Sequence, residues 1–167
     1  GSAACVIGLP NPSIDQYCRP SSSLTYDILN THSLILPNST SEMYWKVTDQ
    51  GWKLRLSKDI PPLIHNAMPS FLNGLLSSSI VPSSFSQHDC DWAVHPGGKS
   101  ILIASADALS LSPDVLKDSW EVMKNYGNMS SCTILHVLER FYNPLIDKPD
   151  RKDILGMVAF GPGLTIE

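Results

Sequence analysis

Residues 92–102, WAVHPGGKSIL, constrain the fold more than any other stretch. An apolar run that reads as a strand ends at a histidine, Pro96-Gly97-Gly98 breaks it, and a helix-forming segment starts at Lys99. A chain that passes from strand through tight turn to helix belongs to the α/β class. Such folds tend to hold reactive groups at the mouth of the strand, so His95 is the first candidate functional residue.

The rest of the chain alternates in the same way. AACVIGL (3–9) reads as a buried strand and LTYDILNTHSLIL (24–36) as a long strand region closed by Pro37-Asn38. MYWKV and WKLRLS read as two strands joined through Asp49-Gln50-Gly51. A helix is expected over 59–77, with Asp59 as cap, paired prolines in its first turn and an apolar face of Leu63, Met68, Phe71, Leu72 and Leu75. After a serine-rich loop (77–86), DCDWAVH forms a short strand and KSILIASADALSL a helix. Ser112-Pro113-Asp114 opens another helix, which runs to about Asn125 with Leu116, Trp120 and Met123 on one side. Gly127 breaks direction, and helical spacing resumes from Ser130 to Phe141 through Ile134, Leu135 and Leu138. ILGMVAFGPGLTIE closes the chain as strand, Gly-Pro-Gly turn and strand, without an internal repeat or a domain boundary.

A length of 167 residues suits one domain, and 43% apolar content fills a globular core. A formal charge of -4 without a Lys/Arg run excludes a nucleic-acid surface. No apolar stretch is long enough to cross a bilayer and no signal peptide is evident, so a soluble, cytoplasmic protein without a membrane partner is expected. Cys5, Cys18, Cys90 and Cys132 form no C-x-x-C pair and no metal spacing, which reads as packing thiols and no metal site. Without a secretory signal, the sequons at Asn38 and Asn128 read as coincidental.

His95 and Asn128 each stand just before an expected helix, where unpaired backbone N–H groups and the helix dipole favour negative charge. Two readings follow from the residues alone. The pair is a set of neutral donors for an oxyanion, or His95 is a satisfied turn residue and Asn128 a cap or left-handed turn residue.

WAVHPGGKSIL, YGNMSS and FGPGLTIE, in this order and at these separations, resemble the carboxyl-terminal half of type III polyketide synthases, the chalcone and stilbene synthase-like family. GSAACVIG resembles the strand after that family's Gly-Asp-Gly turn. The resemblance implies an α/β fold, half of a thiolase-like α-β-α-β-α sandwich with a mixed sheet. It makes residues 1–167 a C-terminal thiolase-like domain truncated at both ends, since Glu167 stops inside a strand that the family continues. It further implies decarboxylative condensation of malonyl-CoA onto an acyl-CoA starter, followed by cyclisation. Coenzyme A thioesters are then the substrates, no other cofactor is needed, and the complete enzyme is a homodimer.

Motif by motif, the catalytic histidine falls on His95 and the catalytic asparagine on Asn128. Loss of CO2 generates the carbanion, so the site needs donors for the thioester oxygen more than a strong base. The resemblance places Leu54 at the family's gatekeeper phenylalanine and Trp45 at a small residue of the plant cyclisation cavity. It also makes Ser130 a pocket-lining serine, Phe160, Gly161, Pro162 and Gly163 the loop shaping the pocket wall, and Gly97, Gly98 and Ser100 the backbone along which coenzyme A passes. A leucine gate favours fatty acyl starters and alkylpyrone or alkylresorcinol products, and MYWKVTDQGWKLRLSKDIP resembles fungal and bacterial members more than plant ones. Trp45 and Leu54 as plain core residues is the competing reading.

The family's nucleophilic cysteine has no counterpart among the four cysteines here and is expected in the amino-terminal half, so the chain alone is expected to be inactive. Two alternatives stand beside this function. One is another condensing enzyme of the thiolase superfamily, which HPGG and the GPG loop disfavour. The other is a non-catalytic remnant or dimerising half-domain.

Overall fold

The computed structural model describes residues 1–5, 7–8, 27–77, 82, 84–143, 146 and 150–167. Its centre is a parallel pair of strands, β4 (Cys90–Val94) and β5 (Ile154–Val158), in register from Cys90 opposite Ile154 to Val94 opposite Val158. The ladder runs on one step further, His95 N–H donating to the Val158 carbonyl at 2.8 Å. Past Ala159, which exchanges two hydrogen bonds with Glu167, the chain continues as β6 (Phe160–Gly161). That strand pairs antiparallel with β7 (Thr165–Ile166), which pairs antiparallel with β1 (Leu34–Ile35). Parallel and antiparallel ladders thus follow one another, as a mixed sheet requires.

β4 is covered on both faces. Cys90, Trp92 and Val94 point into the larger core with Ile60, Ile64, Met68 and Phe71 of α1 (Ile60–Leu76) and Leu102 of α2 (Lys99–Ala108). Ala93 points the other way, to Val122 of α3 (Lys117–Tyr126) and to Val137 and Phe141 of α4 (Cys132–Tyr142). This two-sided burial explains why the strand reads as a continuous apolar run.

Helix α1 matches the expected span, with prolines in its first turn and Met68, Phe71 and Leu72 buried. Its cap differs: Asp59 makes no side-chain capping bond, and Ser57 Oγ instead accepts the Asp59 N–H at 3.1 Å. Ser112 likewise precedes a short 3-10 turn, Pro113–Leu116, without a side-chain cap bond. The hairpin β2 (Met43–Thr48) and β3 (Gly51–Leu56) forms as expected, with Gly51 at φ 110 in a conformation that suits glycine.

Two strand expectations are corrected. Residues 3–5 and 7–8 are exposed and irregular, residues 6 and 9 lying outside the described set, and residues 27–33 form no strand. A strand needs a ladder partner, and only Leu34 and Ile35 find one, on β7. The apolar spacing of the last two helices holds in part, with Leu116 and Phe141 buried and Trp120, Met123 and Ile134 packed against the core, but polar residues share the buried faces. α3 buries Asp118, Ser119 and Val122, and α4 buries Thr133, Val137 and Phe141. Polar residues can lie there because they are partnered: Arg140 Nε donates to Asp118 Oδ1 at 2.7 Å and ties α4 to α3.

The Trp92 ring lies across β5 at Gly156, where a Cβ would come within 2.6 Å of it. Trp92 is fully buried and held by its Nε1–H bond to the Gln87 carbonyl at 2.9 Å, so it cannot swing away cheaply. Gly156→Ala is therefore expected to cost about 1–3 kcal/mol, seen as a lower urea midpoint with an unchanged slope.

Candidate active site

His95 directly follows β4 with its main chain fixed on both sides. Its N–H continues the ladder to Val158, and its carbonyl accepts the Gly97 N–H at 2.9 Å across Pro96. The residue is 8% exposed, and burial lowers its pKa below the ordinary value, which favours the neutral imidazole with one N–H to donate. Gly98 is the N-cap of α2, and Ser100 is exposed in its first turn. A Cβ at Gly97 would make ordinary contact with the imidazole at 3.5 Å, and one at Gly98 would meet nothing. Packing does not demand these two glycines; their effect is to leave the space beside the imidazole and the helix start open.

Asn128 is delivered to the same place by the turn between α3 and α4. Gly127 caps α3 at φ 70, and the Asn128 side chain then reaches across, Nδ2 donating to the Gly97 carbonyl at 3.1 Å. Its Oδ1 accepts the Ser130 N–H at 2.9 Å, with Ser130 at φ 65. His95 and Asn128 therefore share one loop cluster, joined through Gly97, and Ser130 lies within it.

The 160–163 segment leaves β5 just beyond Val158, the residue that accepts the His95 N–H. Gly163, at φ 122, donates its N–H to the Met43 carbonyl at 3.3 Å, which ties this loop to the base of the β2–β3 hairpin. Buried Ser39 holds the same turn, accepting the Leu164 N–H at 2.6 Å. On the hairpin Trp45 stands directly opposite Leu54. They are 52% and 42% exposed, so neither is a core residue of the described structure. Trp52 was not singled out from the sequence. Its register opposite Val47 puts it on the face of Trp45, and the two indoles meet edge-on at 6.4 Å around a shallow open depression. Period-two alternation across the turn was the signal that could have found it.

Cys90 faces the core, and burial pushes its thiol up to about 11, so it is a packed thiol at neutral pH. Cys132 donates to the Met129 carbonyl at 3.1 Å, Cys5 is exposed, and Cys18 lies outside the described residues. Among the described residues, no three His, Cys, Asp or Glu side chains are grouped to hold a metal ion. No helix there is long and apolar enough to cross a membrane.

Residues 27–167 match the family described as chalcone and stilbene synthases, C-terminal domain. The chain belongs to that family. It is similar to the acylalkylpyrone synthase csyB of Aspergillus oryzae, 32% identical over a 151-residue alignment that covers 85% of this chain and 37% of the relative. Among solved structures it resembles a fungal type III polyketide synthase, ORAS, at TM-score 0.78 and 34% identity over 89% of this chain and 40% of that one. It also resembles CsyB complexed with CoA-SH, at TM-score 0.78 and 31% identity over 84% and 38% of the two chains. The chain thus spans about two fifths of the length of these type III polyketide synthases. The thiolase-like α/β fold inferred from the motifs is the fold of these neighbours.

The depressed pKa of His95 gives a pH dependence with a definite sign. The unfolded state takes up the proton more readily, so this contribution to stability is present above an unfolded pKa of about 6.5 and is lost as the pH falls below it. Urea denaturation at pH 8 and pH 5.5 should show part of the acid-side loss disappearing in His95→Gln.

Proposed function

We propose that this chain supplies the histidine and asparagine of a type III polyketide synthase active site, which is completed by a cysteine nucleophile from outside these residues. In the proposed cycle the cysteine sulfur attacks the acyl-CoA carbonyl and expels coenzyme A thiolate. Malonyl-CoA then loses CO2, and the electron pair left behind forms an enolate. The enolate carbon attacks the cysteinyl thioester, a C–C bond forms, the C–S bond breaks and the thiolate returns.

The observation that carries this reading is the Asn128 Nδ2 bond to Gly97, which holds the carboxamide in the His95 loop. An amide nitrogen has two N–H donors, so one can hold Gly97 while the other faces the thioester oxygen. Neutral His95 supplies the second donor, stabilising the enolate oxygen as charge develops there. Because decarboxylation generates the carbanion, no cofactor beyond the coenzyme A thioesters is called for. Coenzyme A would pass Gly97, Gly98 and Ser100 at the open start of α2.

The finer reading is a fatty acyl starter and an alkylpyrone or alkylresorcinol product. The apolar hairpin face of Trp45, Trp52 and Leu54 supports it, as does similarity to an acylalkylpyrone synthase. Phe160, Gly161, Pro162, Gly163 and Ser130 would form the remaining pocket wall, in a cytoplasmic homodimer. The chain alone would be inactive without the cysteine.

In the full-length protein, His95→Ala and Asn128→Ala should each slow malonyl-CoA decarboxylation by about 10²–10³-fold while leaving the folded circular dichroism spectrum in place. Normal decarboxylation in both variants refutes the assignment. Against a series of acyl-CoA starters, activity should favour long aliphatic chains; a clear preference for aromatic starters rejects the leucine gate.

A further inference from the structure

We propose that Ser119 and Thr133 are positioning residues for the His95–Asn128 pair, a role that rests on the reading of that pair as the donor set. Both are fully buried. Ser119 Oγ, on α3, accepts the N–H of Val94, the residue before His95, at 3.1 Å. Thr133 Oγ1, on α4, accepts the N–H of Met129, the residue after Asn128, at 2.7 Å. It donates in turn to the Ser130 carbonyl at 2.8 Å. Each hydroxyl thus acts one peptide away from a candidate donor.

The reason lies in the ladder. In a strand successive N–H groups point to opposite sides, and since His95 N–H goes to Val158, Val94 N–H points away from β5 and needs another acceptor. α3 supplies it through Ser119, which sets the distance between the end of β4 and that helix. The same helix runs through Gly127 into Asn128. One hydrogen bond therefore registers the strand that carries His95 against the helix that delivers Asn128. Thr133 closes the other side of the turn beside left-handed Ser130, whose carbonyl also accepts the Thr133 N–H at 3.0 Å. The sequence shows no motif for either residue, and a purely apolar contact would not need a hydroxyl at these points.

Loss of either hydroxyl leaves a buried N–H to find a new partner, shifting one donor relative to the other. Displacement by about 1 Å can cost on the order of 10²-fold in rate. In the full-length protein, Ser119→Ala and Thr133→Val should lower kcat for malonyl-CoA decarboxylation about 10- to 100-fold with KM little changed. Thr133→Ser, which keeps the hydroxyl, should restore most of the rate. Val122→Ala, a cavity on the same helix, should lower the melting temperature without that loss of kcat. Wild-type kcat in Ser119→Ala and Thr133→Val overturns the proposal, as does an equal loss in Val122→Ala or a failure of Thr133→Ser to rescue. If Ser119→Ala does not fold, the two Thr133 variants decide. An unaffected rate in His95→Ala is a different failure, because it removes the catalytic reading and the positioning role with it.

Discussion

The parallel ladder of β4 and β5 joins two segments far apart in sequence, and the rest of the described structure is arranged around it. Its strands must be covered on both faces, since a parallel pair reached by long crossovers has helices above and below it. α1 and α2 pack on the Trp92 face and α3 and α4 on the Ala93 face. The last bond of the ladder, from His95 to Val158, brings two segments of the candidate site side by side. The histidine stands at the end of one strand, and the 160–163 loop leaves the end of the other.

The site is then built from loop ends anchored on rigid elements. His95 follows a strand buried on both sides, Asn128 follows a capped helix, and Gly97 joins them through its carbonyl. Small polar residues do much of the fixing. Ser39 holds the Gly163–Leu164 turn, and Asp118 is matched with Arg140 between the last two helices. A hydrogen bond to a buried backbone group has a narrow range of distance and angle, so it sets position more sharply than an apolar contact does.

The hairpin behaves differently. Trp45, Val47, Trp52, Leu54 and Leu56 share one exposed face, while Lys46 faces Lys53 on the other. Alternation of this kind marks a strand pair meant to be covered on one side. The backbone bond from Gly163 to Met43 ties its base to the 160–163 loop, so the apolar face and that loop lie side by side.

Local signals in the sequence were enough for the strand-turn-helix at 92–102, the hairpin about Gly51, the proline-started helix α1 and the motifs that name the family. Each rests on residues a few positions apart, where turn geometry, capping and periodicity act. Partnership was decided by tertiary structure. The segments 3–9 and 24–36 look like strands, yet of their described residues only Leu34 and Ile35 enter a ladder, because a ladder depends on a distant segment. The inner faces of α3 and α4 carry Asp118, Ser119 and Thr133, which apolar spacing passes over because their partners lie on other elements. That Asn128 joins His95 is one of two readings of the residues and the one the resemblance favours; the bond to Gly97 that holds it there exists only once β4, α3 and α4 have packed.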